Sequence, residues 1–227
     1  MNMKESNEEI EGYISTINGS LIYVKGFQNN VRLHDLIKIN KQNIKGEIIQ
    51  IYSDYIVAQC FENTDNLKLH QKVTYLNEPL SMELGPGLLS NIFDGIQRPL
   101  GEIFKRSESG FLERGVEIPS LSRSKKWNFS PAKKKGDNVF SGDVVGIVKE
   151  TPMIKHFITI PPGISGEISF INNNGDYAIE ENIYNIKTHD IERSFNMIQK
   201  WPVTKNRPFL KKLSPKEPLQ TGQRVVD

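Results

Sequence analysis

The stretch PLSMELGPGLLSNIFDGIQRPLG, residues 79–101, is where strand-like patterning gives way to helical spacing under strong punctuation. Gly85-Pro86-Gly87 can supply a tight backbone turn, for which at least one of the two glycines takes positive φ. Leu88, Leu89, Ile92, Phe93 and Ile96 then fall at helical spacing on one apolar face. Proline at 99 pushes Arg98 out of the α region. The spacing therefore predicts a short amphipathic helix ending at Ile96 or Gln97, after about two and a half turns. The stretch reads as a hinge between two β units.

Upstream of it, residues 12–76 break into short runs: YIST, SLIYVKG, DLIKIN, KGEIIQIY, YIVAQCF and KVTYL. β-Branched and aromatic residues alternate within them, and Asn18-Gly19, Asn29-Asn30 and Ser53-Asp54 mark turns. Six short strands in about 65 residues remove their unpaired amides most simply by closing into a barrel. An oligonucleotide-binding barrel would need basic and aromatic residues interleaved on one face, and the strands lack them.

Downstream, residues 111–186 form a second β unit with a different grammar. Gly136-Asp137, Gly142-Asp143 and Gly146 in one half answer Gly166-Glu167 and Gly175-Asp176 in the other, so each half is expected to offer a Gly-Asp turn between short apolar strands. This duplication looks like the sandwich-hybrid fold of biotinyl and lipoyl carrier domains, which makes a stand-alone carrier or interaction module the alternative reading. The hairpin between the halves, KETPMIKH at 149–156, has lysines at 149 and 155 but no Met-Lys-Met of a biotin site, so neither Lys149 nor Lys155 is expected to be modified.

Other features point to packing more than to chemistry. Arg123, Lys125, Lys126, Lys133, Lys134 and Lys135 form a basic run with Trp127 and Phe129 inside it. It reads as a solvated loop anchored by its two aromatics, because 29 basic against 27 acidic residues give no general nucleic-acid signature. His34, His70, His156 and His189 lack metal-ligand spacing. The single cysteine, Cys60, rules out an intramolecular disulfide and sits in an apolar run as a packing residue. The N-terminal acids Glu5, Glu8, Glu9 and Glu11 have no apolar core beside them, so no signal peptide is read there; no run reaches the roughly 18 apolar residues of a membrane span, and a cytosolic address is expected. Proline follows Trp201, Arg207, Ser214 and Glu217, which favours an extended connector packed by Trp201 and Phe209.

ELGPGLLSNIFDGIQRPL resembles the segment after the N-terminal barrel in the catalytic A subunit (alpha chain) of V-type and archaeal-type rotary ATPases. The resemblance continues through IKGEIIQIYSDYIVAQCFENT (44–64), FLERGVEIPSLSRSKKWNFSP (111–131), SGDVVGIVKET (141–151), MIQKWPV (197–203) and PLQTGQRVVD (218–227). Asn63-Thr64-Asp65-Asn66 stands where the family usually has Thr-Ser-Gly. Val203-Thr204-Lys205 replaces Val-Arg, so no arginine role passes to Thr204. The resemblance implies a mainly β fold: an N-terminal closed barrel (1–77), a hinge with a short helix (78–110), an inserted sandwich-hybrid or bulge domain (111–190), and an extended connector (191–227) leading into an α/β nucleotide-binding core. It implies barrels of neighbouring subunits in a ring, B subunits and a peripheral stalk as partners, and a place in the soluble head of a complex peripheral to a membrane, with no nucleic acid and no membrane insertion.

A phosphate-binding loop needs G-x-x-x-x-G-K-[ST], because backbone amides and lysine offset phosphate charge while the hydroxyl holds magnesium. No such stretch occurs in the 227 residues. In the family it would follow Asp227, as would the ATP and Mg sites, so the expectation is a truncated or split portion with no catalytic, cofactor-binding or metal-binding residue of its own and no activity alone.

Overall fold

The computed structural model describes residues 10–27, 31–106, 114–188, 191–209, 211–218 and 222. The first six strands are β1 (Glu11–Asn18), β2 (Leu21–Lys25), β3 (Asp35–Ile39), β4 (Ile44–Ile51), β5 (Ile56–Cys60) and β6 (Lys72–Pro79). They close into an antiparallel barrel in the order β1-β2-β5-β4-β3-β6, with Gly12 opposite Val73 joining the last strand to the first. Period-two alternation sends Ile14, Ile22, Val24, Ile37, Ile39, Ile44, Ile48 and Val73 inward, all fully or almost fully buried. Each such side chain contributes about 1.5–3 kcal/mol relative to exposure. The β1–β2 loop is Gly19-Ser20; positive φ at Gly19 alone is the II′ pattern, whose twist suits a two-residue hairpin. Asn29-Asn30, also expected to turn, lies outside the described residues. One buried polar pair sits at the barrel end: the Tyr75 hydroxyl donates to the Asp35 carboxylate and accepts from the Arg32 N–H. Burial and Asp35 together push the Tyr75 phenol up to about 12.

The chain leaves the barrel as β7 (Ser81–Leu84), paired not with a neighbour in sequence but with β16 (Gln199–Pro202). Gly87 carries the turn that follows, with φ 109, while Gly85 keeps an ordinary backbone. The helix expected to end at Ile96 or Gln97 does not form. Asp94 Oδ1 accepts the N–H of Ile96 and of Arg98, at 3.1 and 2.7 Å, a side-chain-to-backbone turn that competes with helix. Ser90 and Gln97 adopt positive φ, and Ile92 is 74% exposed, so the supposed apolar face is not a packed one. The helix instead begins where the sequence predicts a stop. α1 (Leu100–Arg106) follows Pro99, whose carbonyl accepts from the N–H groups of Glu102 and Ile103. Proline lacks only an N–H that a helix start leaves unused, so it opens a helix as readily as it ends one. Glu102 in the first turn and Lys105 and Arg106 in the last suit the helix dipole.

The remaining strands are β8 (Lys126–Pro131), β9 (Asn138–Val139), β10 (Val144–Lys149), β11 (Lys155–Thr159), β12 (Gly166–Ile171), β13 (Gly175–Ala178), β14 (Tyr184–Thr188) and β15 (Ile191–Phe195). They make two four-stranded sheets, β11-β10-β8-β13 and β15-β14-β12-β9, around one core that includes Trp127, Phe129, Val145, Val148, Ile168, Ile183 and Tyr184. Three expectations need correction. The basic run is not a loop: β8 passes through it, and alternation puts Trp127 and Phe129 in the core while Lys126 and Asn128 face out. Gly175-Asp176 is not a turn but part of β13, opposite Phe129 and Asn128. Residues 191–195, where a connector was expected, form an edge strand, and Phe209, expected to pack, is 71% exposed. Trp201 does anchor its surroundings: its Nε1 donates to the Lys205 carbonyl at 2.6 Å and the Arg207 guanidinium lies over its ring.

The Gly-Asp turn expected once in each half is instead found twice in the first half, at adjacent turns, while Gly166-Glu167 and Gly175-Asp176 lie in strands. Lys134 N–H donates to Asp137 and Phe140 N–H to Asp143, each three residues on, with Gly136 and Gly142 at φ 91 and 90. Gly136 and Asp137 then exchange backbone bonds with Ile168, as Gly142 and Asp143 do with Ile160. With the Asp137 N–H on the Lys134 carbonyl and the Asp143 N–H on that of Phe140, each Gly-Asp turn makes the same four bonds, two of them to its isoleucine.

Candidate functional site at the barrel–sandwich junction

The sequence singles out no catalytic side chain, and the densest buried polar construction lies where barrel, linker and sandwich meet. At its centre is Arg98. Its Nη1 is 2.6 Å from Glu62, just past β5, and its Nε is 2.6 Å from Asp94; the three side chains are only 10–17% exposed. Burial opposes the charge of Arg98, but the hydrogen bonds to Asp94 and Glu62 more than offset this and hold its pKa above the ordinary value. Glu62 also accepts the N–H of Gly115, tying the turn that leads toward β8 onto the barrel. Only glycine fits there: φ is 68, and an added Cβ would lie 1.8 Å from the Gln42 carbonyl oxygen.

From Arg98 the polar path continues into the sandwich. The neighbouring Gln97 uses its side-chain amide as a strand residue would: Nε2 donates to the Glu83 carbonyl at 2.8 Å and Oε1 accepts the Glu83 N–H at 2.7 Å. Glu83 in turn holds Arg123 at 2.6 Å, and Arg123 reaches Glu180 at 2.7 Å. A second attachment is made by Glu150, whose side chain is only 4% exposed. Its Oε1 accepts the N–H of Gly87 and of Leu89, clasping the Gly-Pro-Gly loop to the β10–β11 hairpin, and His156 lies 3.5 Å from its Oε2. Burial lowers the His156 pKa despite the opposing pull of Glu150. On the barrel side Lys38 and Lys45 both reach Glu117 at 3.2 Å. A cleft of about 480 Å³ runs between these attachments, lined by Lys45, Glu78, Glu83, Arg98, Glu117 and Lys200 among others.

Such an arrangement fixes the relative placement of two β units. Among the described residues no three His, Cys, Asp or Glu side chains gather as a metal site. The residues marked by the sequence fall elsewhere. Cys60 packs inside the barrel, where burial, and then the charge of Glu62, pushes its thiol up to about 11. His34 meets Glu47 at 2.6 Å, His70 stacks on Tyr13, and His189 lies outside the described residues. Lys149 and Lys155 face each other across the hairpin arms, not at its tip, where Met153 is 94% exposed. In the basic run, Arg123 is spent on Glu83 and Glu180, Lys133 approaches Asp143, and Lys125 covers the Trp127 ring. Glu62, Gln97, Arg98, Gly115 and Glu150 were not marked. Asp94 and Arg98 stand at a legible i,i+4 spacing, but nothing local ties either to Glu62.

Comparison with known proteins assigns both units. Residues 14–77 match the beta-barrel domain of the ATP synthase alpha/beta family, and residues 118–204 match the ATP synthase alpha/beta subunit barrel-sandwich domain. The V-type ATP synthase alpha chain of Clostridium botulinum (strain Alaska E43 / Type E3) is 44% identical over 216 residues, 95% of this chain and 36% of the relative. That of Thermoanaerobacter sp. (strain X514) is 43% identical over 218 residues, 96% of this chain and 36% of the relative. The chain therefore spans about a third of the length of these relatives. With one matched domain on each side of the Arg98 junction and V-type alpha chains aligning over 95% of the sequence, the chain belongs to the ATP synthase alpha/beta family, of which it carries the beta-barrel and barrel-sandwich domains.

Proposed function

We propose that the chain serves as a non-catalytic portion of the alpha (A) subunit of an ion-translocating V-type ATP synthase or ATPase, whose complex couples ATP hydrolysis or synthesis to proton or sodium movement. The observation that carries this is the identity of 43–44% across barrel, linker and sandwich together. A single borrowed domain would match over its own length alone, whereas these relatives align over 95% of the chain, both units and the linker included. In this reading the barrel sits beside the barrels of B subunits, the sandwich faces a peripheral stalk, and the assembly lies at a membrane surface without inserting. ATP and Mg are bound by parts of the alpha subunit outside this chain, since the sequence has no phosphate-binding loop.

Co-expression of the intact chain with the B subunit encoded in the same genome tests the reading. Co-elution in size-exclusion chromatography is expected, and two separate monomer peaks at micromolar concentration would refute it. Calorimetric titration with Mg-ATP at 0.15 M salt should show no saturable binding tighter than about 100 μM, a threshold near 5.5 kcal/mol.

A further inference from the structure

Each sheet of the sandwich has two edges, and among the described residues the four differ in how much open backbone they offer. β9 is only two residues long. β13 gives its Ala178 N–H to Glu181 Oε1 at 2.8 Å, and β11 has its Thr159 carbonyl taken by Gln199 Nε2 at 2.8 Å. β15 is as long as β11, five residues, but Ile191 to Ser194 are all exposed, and among the described residues no group bonds its backbone on the side away from β14. An exposed row of unpaired N–H and C=O groups is a template for another strand unless charge or a bulge blocks it.

The two charges on β15 do not block it. Glu192 is folded down over the sheet, accepting from Ser169 Oγ at 2.5 Å and Asn185 Nδ2 at 3.2 Å. Arg193 lies on the opposite face, where with Ile164, Ile186, Thr188 and Ile191 it lines a groove of about 420 Å³. Arg98 and Arg123 each hold two carboxylates, whereas Arg193 has none within reach among the described residues. Ile191 is 60% exposed and stands two residues before Arg193, the spacing at which side chains share one face of a strand.

We propose that β15 is a docking edge for an extended segment of a partner protein, which adds to the sheet as a fifth strand and sets a carboxylate against Arg193. The segment needs an apolar side chain two positions from an Asp or Glu, so that one meets Ile191 and the other Arg193. Backbone pairing supplies sequence-independent affinity and the groove supplies selection. A strand presenting lysine there would bring like charges together, which makes Arg193 a filter as well as a contact. The edge does not depend on which complex the chain serves.

The probe is a blocked nonapeptide of alternating threonine and isoleucine with one glutamate on the isoleucine face, compared with the same peptide carrying lysine in its place. Hydrogen exchange of the intact chain should show new protection at residues 191–195 with the glutamate peptide and about tenfold weaker binding of the lysine peptide. Arg193→Glu should reverse that preference, with exchange in the barrel and β14 unchanged as the control for folding. Should that variant fail to fold, Arg193→Gln should abolish the discrimination between the peptides. No protection at β15 with millimolar glutamate peptide, or equal affinity for the two peptides, overturns the proposal. So does protection that grows with protein concentration alone, because the occupant would then be a second copy of the chain.

Discussion

In the barrel β6 returns to β1, so every strand has two neighbours; in the sandwich four strands are edges. The barrel therefore depends on an uninterrupted inward row, from Ile14 to Tyr75, and on turns that only have to be short. The sandwich depends on side chains that finish the backbone's hydrogen bonding: Asp137, Asp143, Glu181 and Gln199 each satisfy a main-chain group that no strand reaches. Closure leaves the barrel no strand edge to cap, although loop side chains such as Thr64 and Gln71 still bond its main chain. The sandwich accordingly carries polar residues whose loss is felt in its stability, and of the two units it alone has strand edges.

The two cores share no residue, and what joins them is polar. Phe129→Ala, at a fully buried site, should cost about 3–5 kcal/mol in denaturant unfolding, and hydrogen exchange should assign the loss to the sandwich. Equal loss of protection in the barrel would mean that the junction makes the two units one cooperative body, and the comparison would fail.

Gly115→Ala attacks the junction from the barrel side. The left-handed backbone and the overlap with the Gln42 oxygen together should cost about 2 kcal/mol and detach the Gly115 N–H from Glu62. The barrel's own strands should keep their exchange protection. Smaller effects belong to the twin turns: Asp137→Ala and Asp143→Ala should each cost about 1 kcal/mol, confined to the sandwich. Because the turns make equivalent bonds to Ile168 and Ile160, costs that differ severalfold would show that the repeat is one of shape and not of energy.

The barrel was legible because β1, β2, β4 and β6 keep period two, so KGEIIQIY or KVTYL can be read without knowing its partner. The linker was not. Leu88, Leu89, Ile92, Phe93 and Ile96 fit helical spacing, yet one Asp94 side chain outbids the helix, and Pro99 fits a helix start as well as a stop. Trp127 and Phe129 alternate with Lys126, Asn128 and Ser130, a strand signal concealed by the density of lysines around it. The junction was least legible of all, since Glu62 and Arg98 are 36 residues apart and Gly87 and Glu150 are 63 apart. Long-range polar pairs leave no periodic trace in a sequence.

Acid should loosen the two ends of the junction in different windows. Burial lowers the His156 pKa below its ordinary 6.5, so the unfolded chain binds its proton first. The stabilisation from keeping His156 neutral is full above 6.5 and is lost as pH falls from there through the lowered folded value. In a series of denaturant titrations from pH 7.5 to 5, the sandwich should lose stability with a slope of less than one proton, and His156→Gln should flatten it. A slope of the opposite sign would mean that the charge of Glu150 outweighs burial and that the clasp is an ion pair.

The smallest effect is expected on the barrel side, at Glu117. Burial by itself would raise its pKa, but hydrogen bonds from Lys45 and Lys38 more than offset that and leave it below 4.5. The group therefore contributes above 4.5 and its contribution disappears as pH falls from there through the lowered folded value, a window that opens below the 6.5 at which that of His156 opens. The side chain is 47% exposed, so water and salt screen both pairs. Glu117→Gln should cost about 0.5 kcal/mol near neutral pH in low salt and nothing measurable at 1 M salt. The Glu150 side chain is only 4% exposed and that of His156 27%, so the pH slope assigned to them should survive most of the same salt. If salt removes both effects equally, the sandwich end is as wet as the barrel end, and the distinction between a buried clasp and a surface tether falls.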